Sequence, residues 1–344
     1  MIYCLFYKSM LNLYLKKKFK KLKKKTILKE KFEKGYVPWI RWESENASNG
    51  KCIRYLGYFP RFFPLYLNSD HAVHSESKVW PTDLETGELP YFTWNFRKYL
   101  KLKKLGIKAY HVYNPWSFYV KKKISIKKEK KQGTIVFFPH SNATTFPVIN
   151  IDKYAKILLN LPKKYHPFTI MLSQLDVNFT IYKKLSKYFA NIDTAGNLNS
   201  QFFIDRFIQI IGKHRYATAP SSPNLIGSAF FYSIDFGIPF FFLHKNTWKV
   251  HNPSINIGKR GRAGNIKIND YLDEVDKKNL DIINKRFHYK NFLKIKNPKR
   301  IISKYIGYNS KISRLKISYI LYKSFIFNLN RFIILYLKIL FKYS

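Results

Sequence analysis

Three polar stretches hold the residue types from which group-transfer chemistry can be built. Pro139-His140-Ser141-Asn142 follows the apolar run Thr134–Phe138 (TIVFF). Ala219-Pro220-Ser221-Ser222-Pro223-Asn224 follows Tyr216–Ala219 and leads through Gly227 into a helical pattern. Ser221, Ser222 and Asn224 are helix-capping residue types, and the free N–H groups of a first helical turn make a phosphate site. Gly227 lets backbone or ligand come close. The third stretch is Asn68-Ser69-Asp70-His71, with His74 and Glu76 close behind. A carboxylate next to a histidine can supply a general base, because His titrates near neutrality and burial tunes a carboxylate. Neighbouring residues of a strand point to opposite faces, so Asp70 and His71 need not touch. Each of these residue types also has a plain structural use, as a helix start, a cap or a hydrogen-bonding loop histidine.

The elements that must position these residues follow from periodicity. Residues 133–243 alternate short apolar runs with helical patterns. The strands expected are Thr134–Phe138, Phe168–Leu172, Asn191–Thr194, Tyr216–Ala219 and Ile238–Leu243, and the helices Ile151–Leu161, Val177–Phe189, Gln201–Lys213 and Asn224–Phe236. Such alternation implies a doubly wound, Rossmann-like parallel sheet. With strand order 3-2-1-4-5, the switch point lies between the first and fourth strands, and a ligand binds outside their carboxyl ends. Those ends carry the His140 and Ser221 turns. No G-x-G-x-x-G follows the first strand and no G-x-x-x-x-G-K-[ST] occurs, which disfavours a nicotinamide site and excludes a P-loop.

Residues 36–120 are aromatic-rich. Trp94-Asn95 and Tyr113-Asn114-Pro115-Trp116 suit either a sugar-stacking cleft or plain core. Lys121–Lys131 reads as a linker. The acids Asp270, Asp273, Glu274 and Asp276 read as a helix start capped by Asn269 or Asp270, and there is no D-x-D metal motif.

The chain has 344 residues, 46% of them hydrophobic and 18% aromatic, which excludes a disordered or collagen-like protein. Two cysteines, Cys4 and Cys52, make no disulfide framework. Sixty-three Lys and Arg against 20 acids give a net charge of +43, an attraction for polyanions. Lysines supply 51 of the cations, and Lys, Ile, Asn, Phe and Tyr all have A/T-rich codons, so nucleotide bias is an alternative source of the charge. Residues 1–35, with the run KKKFKKLKKK over Lys16–Lys25, read as a basic helical segment, and after Asp281 no acidic residue occurs. Residues 301–344 are expected to form a basic amphipathic helix suited to an anionic membrane surface, with a helix packed on the core as the alternative. Neither end is long and apolar enough to span a bilayer. No helix-turn-helix, RNA-recognition or zinc-finger signature accompanies the charge, so no specific nucleic-acid partner is expected.

The runs FTWNFRK, LGIKAYHVYNPWSFY, GTIVFFPHSNAT and FIDRFIQIIGKHRYATAPSSPNLIGSAFFYSIDFGIPFFFL resemble bacterial glycosyltransferase-like proteins of surface-polysaccharide (capsule and O-antigen) biosynthesis. SDHAV resembles their Asp-His-Gly element, with Ala72 in place of the glycine. The resemblance covers about residues 36–245. It implies a GT-B-like α/β fold, two Rossmann-like halves facing across a cleft, with an acceptor-side half at 36–131 and a donor-binding half at 132–300. It implies transfer of a sugar from a nucleotide-activated donor, a co-substrate rather than a cofactor, to a glycan or lipid-linked acceptor. The site residues so implied are Asp70, His71 and His140 for catalysis, and Ser141, Asn142, Ser221, Ser222, Asn224, Gly227 and Ser228 for the donor. Asp70 or His71 would take the acceptor hydroxyl proton, and His140 would bond a phosphate oxygen or the leaving-group charge. The station implied is cytoplasmic, on the inner face of the membrane, and the transfer metal-independent. Two other readings predict different behaviour: a nucleotide-sugar epimerase needs no acceptor, and a nucleic-acid-binding protein shows steep salt dependence.

Overall fold

The computed structural model describes residues 46–330 and 333, except 62, 71, 85–87, 124–130, 140–145, 174–175, 177–179, 199, 201, 221–225, 244–248 and 252–271. The expected basic N-terminal segment, most of the Lys121–Lys131 linker, His71, His140, Ser141, Asn142, Ser221, Ser222, Asn224, Asn269 and Asp270 lie outside the described residues.

The first half opens with α1 (Asn49–Leu56). It then builds a three-stranded parallel sheet in sequential order from β1 (Asn68–Ser69), β2 (Tyr91–Thr93) and β3 (Ala109–His111). Between and after these strands come α2 (Pro81–Leu84), α3 (Phe96–Lys104) and α4 (Pro115–Lys123). Helix α3 starts where it does because Asn95 accepts hydrogen bonds from the N–H groups of Arg97 and Lys98.

The second half is a five-stranded parallel sheet of β4 (Gln132–Phe137), β6 (Phe168–Met171), β7 (Asn191–Asp193), β8 (His214–Ala219) and β9 (Phe240–Phe242). Its order is β7-β6-β4-β8-β9, the 3-2-1-4-5 order anticipated above. In register, Thr134 pairs with Phe168 on one side and Tyr216 on the other. Successive residues Ile135 and Val136 point to opposite faces and both are fully buried, so both faces of the sheet are covered. The covering helices are α5 (Ile151–Leu159), α6 (Thr180–Leu185), α7 (Phe203–Gly212) and α8 (Ser228–Asp235). A two-stranded antiparallel ribbon, β5 (Phe146–Val148) with β10 (Lys249–His251), is an addition the apolar periodicity does not announce. All five strands and all four helices anticipated in this half are present, with some ends shifted. The largest shift matters for function. Helix α8 begins at Ser228, not Asn224, and its N-cap is Gly227, whose missing side chain leaves the helix without a side-chain cap.

Helix α9 (Glu274–Arg286) is capped by Asp273, which accepts from the Asp276 N–H. That corrects the expectation of Asn269 or Asp270, because Asp273 is the acid that reaches back over the first turn. The chain then returns to the first half. The single long C-terminal helix anticipated is two helices, α10 (Pro298–Ile306) and α11 (Arg314–Phe327), separated by Gly307. The Asn114 N–H donates to Ile306 O at 3.0 Å, and Arg314 donates to the carbonyls of Leu56 and Tyr55 at 2.9 and 2.7 Å. One continuous apolar core runs through both halves. It is joined where Trp116 of α4 stacks on Tyr232 of α8, ring centroids 4.5 Å apart.

Candidate active site

Strand β1 delivers Asp70 to its carboxyl end, where the carboxylate is fully engaged. Oδ1 lies 2.9 Å from the Tyr91 hydroxyl and accepts from Lys98 Nζ at 2.6 Å, and Oδ2 accepts from Thr93 Oγ1 at 2.6 Å. Lys98 also reaches Asp83 at 2.9 Å. Burial pulls the Lys98 ammonium down, but Asp70 and Asp83 outweigh it and hold the group above its ordinary value. Asp70 therefore sits in a buried network in which one ammonium serves two carboxylates.

Immediately after Asp70 the chain crosses to the second half. The Val73 N–H donates to Ser228 Oγ at 3.0 Å, and that hydroxyl donates back to Val73 O at 3.2 Å. The Ser75 N–H donates to Ile226 O at 3.1 Å, and Ser75 Oγ accepts from the Ile226 N–H at 3.0 Å. Ser77 donates through both N–H and Oγ to Asp276 Oδ2, each at 2.9 Å. Asp276 is also paired with Arg97, which bonds Asp273 at 2.7 Å. Residues 73–77 are thus stitched to the backbone just ahead of α8 and to the first turn of α9. The carboxyl end of the first sheet and the carboxyl end of β8 meet at one seam. Ser228 belongs to that seam: its hydroxyl is spent on Val73.

Glu76 lies within the seam. Its side chain is only 7% exposed, and among the described residues Oε2 has no hydrogen-bond partner. Oε1 is 3.9 Å from Nδ1 of His74, whose side chain is one-third exposed at 32%. Asn95 Nδ2 fixes the Glu76 backbone by donating to its carbonyl at 3.1 Å. Burial drives the carboxyl up to about 7, with Asp276 and Asp70 adding to the rise and Lys98 opposing it. A carboxyl poised there exchanges a proton at neutral pH, the condition that favours general acid–base work.

At the start of α8, the Gly227 backbone is extended (φ −90°, ψ 178°), a conformation open to any residue. A Cβ at Gly227 would meet nothing within 4 Å among the described residues, so what this glycine supplies is room. Among the described residues the first turn of α8 has no side-chain cap, and the Phe230 N–H donates to Gly227 O at 3.2 Å.

The aromatic segments resolve toward core. Trp94 is 1% exposed and donates from Nε1 to Ala72 O at 3.1 Å, and Asn114 and Trp116 are buried. Of the anticipated site residues, Asp70, Gly227 and Ser228 are described, and loop 70–77 brings the first of them to the same seam as the other two. Glu76 and Lys98 carry more of the site's electrostatics than periodicity suggests. The signal for Lys98 is its spacing of four from buried Leu102, which puts it on the inward face of α3. Among the described residues, no group of three or more His, Cys, Asp or Glu side chains is placed to hold a metal ion.

Together these features define a mixed α/β protein with two parallel sheets, compatible with a Rossmann-like fold, whose sheet ends converge on a buried acid–histidine seam. Comparison with protein-family models, with curated proteins and with solved structures finds no match to this chain.

Proposed function

We propose that the chain is a GT-B-type glycosyltransferase that moves a sugar from a nucleotide-activated donor to a glycan or lipid-linked acceptor. The observation that carries this reading is the seam itself, a buried carboxyl near neutrality and a one-third-exposed histidine next to a helix start that has no side-chain cap among the described residues. The α8 N-terminus would take the donor phosphates, with the dipole and free N–H groups favouring negative charge. Ser221, Ser222 and Asn224, immediately ahead of it in sequence, would contribute to that cradle. His140, Ser141 and Asn142, which follow β4, would take the other side of the switch point.

The bond changes then balance simply. The acceptor O–H bond breaks, and its proton passes to His74, whose Nδ1 side is backed by Glu76. The acceptor oxygen bonds the anomeric carbon, and the bond from that carbon to the phosphate oxygen breaks, leaving the electron pair on the nucleotide phosphate. Because both Asp70 oxygens already accept hydrogen bonds, we take His74 rather than Asp70 as the proton acceptor.

The test is a thermal-shift series with UDP, GDP, CMP, dTDP and their sugars at low and high salt, on the wild type and on Gly227→Val. One nucleotide is expected to stabilise the fold, by ~2.7 kcal/mol at a hundredfold excess over its Kd, and to do so at both salt concentrations. Gly227→Val should keep its own unliganded Tm and lose that shift. Equal shifts with every anion that vanish in high salt would overturn the donor site. An epimer formed without any acceptor would replace transfer by epimerisation.

A further inference from the structure

The last helix of the structure is apolar on two sides, and only one of them is used. Its inner face, with Ile317, Ile320, Leu321 and Phe325, is buried against the first half, where Phe325 stacks on Phe63 with centroids 4.3 Å apart. The opposite side carries Leu315, Tyr319 and Ile326, all exposed, and at its border Tyr322 is 37% exposed while its ring also meets Phe59. Spacings of four and seven put Leu315, Tyr319 and Ile326 on one face of the helix, so they form one stripe. Phe327 beside it is 74% exposed and Leu315 76%. A run of large apolar side chains left in the open along a helix marks an interaction surface.

The charges flanking the stripe select its occupant. Lys316 and Lys323 are exposed on either side of Tyr319, their ammonium groups 4.9 and 5.8 Å from its ring. No acidic residue occurs anywhere after Asp281. A second copy of this helix would set lysines against lysines, whereas paired helices need opposite charges at the flanks. An anionic lipid surface meets both requirements: the aliphatic and aromatic side chains enter the acyl boundary, tyrosine rings sit at headgroup level, and lysines extend to the phosphates.

We propose that the outer stripe of α11 is a docking surface for an anionic bilayer, holding the first half of the molecule against the membrane. This goes beyond sugar transfer and does not depend on it.

The experiment is co-sedimentation of the full chain with phosphatidylcholine vesicles, with and without phosphatidylglycerol, alongside sedimentation velocity without lipid. Leu315→Ser/Ile326→Ser/Phe327→Ser leaves the charge unchanged and alters only exposed positions; Lys316→Glu/Lys323→Glu alters only charge. The wild type should bind the phosphatidylglycerol vesicles. Each variant should lose at least about tenfold in partitioning, at an unchanged Tm. Wild-type binding by the serine variant would overturn the proposal, since the net charge of the whole chain, or a stripe already covered by residues 1–45, would give that result. A wild-type dimer that the serine variant dissociates would overturn it too, assigning the stripe to a second copy.

Discussion

Glu76 holds a proton at a pH where an ordinary glutamate has lost it, and that has a thermodynamic sign. Its folded-state value of about 7 lies above its ordinary 4.5. Between those values the folded chain binds a proton that the unfolded chain has released. The group's contribution to stability is therefore complete at low pH and is lost as pH rises through about 7. Glu76→Gln removes the penalty. Its Tm should match the wild type near about pH 4 and exceed it increasingly up to about pH 8, with a stability gain on the order of 3 kcal/mol. Thermal melts at both pH values check this. If Glu76 also backs the proton acceptor, the stabilised variant should be the less active one. The identity of this residue was hard to see beforehand. Ser75-Glu76-Ser77 reads as a polar loop, and only the three-dimensional seam with Ile226 and Asp276 turns it into interior.

At the scale of elements, Lys98 ties α3 to the ends of β1 and α2 through two buried carboxylates, at 2.6 Å to Asp70 and 2.9 Å to Asp83. Removing the cation leaves both acids buried and uncompensated. Lys98→Ala should cost ~3–5 kcal/mol in urea unfolding at neutral pH, with a smaller loss if Asp70 is neutralised as Asn in the same chain. The strand and helix pattern of the second half was readable in advance because a parallel sheet buried on both faces writes short apolar runs, and helices between them write a 3.6-residue period. The shift of the α8 start to Ser228 was not readable. Ser221, Ser222 and Asn224 are all good capping residues, and sequence spacing does not say which of several capping residues the chain uses. The first half was less legible than the second. Its strands are only two or three residues long, too short for any periodicity, and its aromatic segments are composed alike for a sugar cleft and for a core.

At the scale of the whole molecule, the 73–77 seam, the Trp116–Tyr232 stack and the Lys51–Asp205 ion pair all join the two halves, and the return of α10 and α11 adds a further junction. That return changes what the C-terminal residues are for. A composition of Lys, Leu, Ile, Phe and Tyr suits a surface-lying tail, and the outer side of α11 keeps that character. Its inner side closes the core over Phe59, Phe63 and Tyr66. A chain ending after residue 312 should therefore bind a hydrophobic dye strongly and lose its cooperative melt, whereas exposed-side substitutions leave the melt intact. Dye fluorescence and calorimetry on the two kinds of variant separate these outcomes.

The return of α11 also sets an order of events during synthesis. Residues 46–123 leave the ribosome before the β4–β9 sheet, yet the side chains that roof their core, Leu321 and Phe325, are among the last of the described residues to be made. The β4–β9 sheet, whose strands and covering helices are contiguous in sequence, has all its parts earlier. Of the two halves, the one translated earlier is thus the one completed later, and the aromatic surface that Leu321 and Phe325 cover lacks that roof until the C-terminal helix is made.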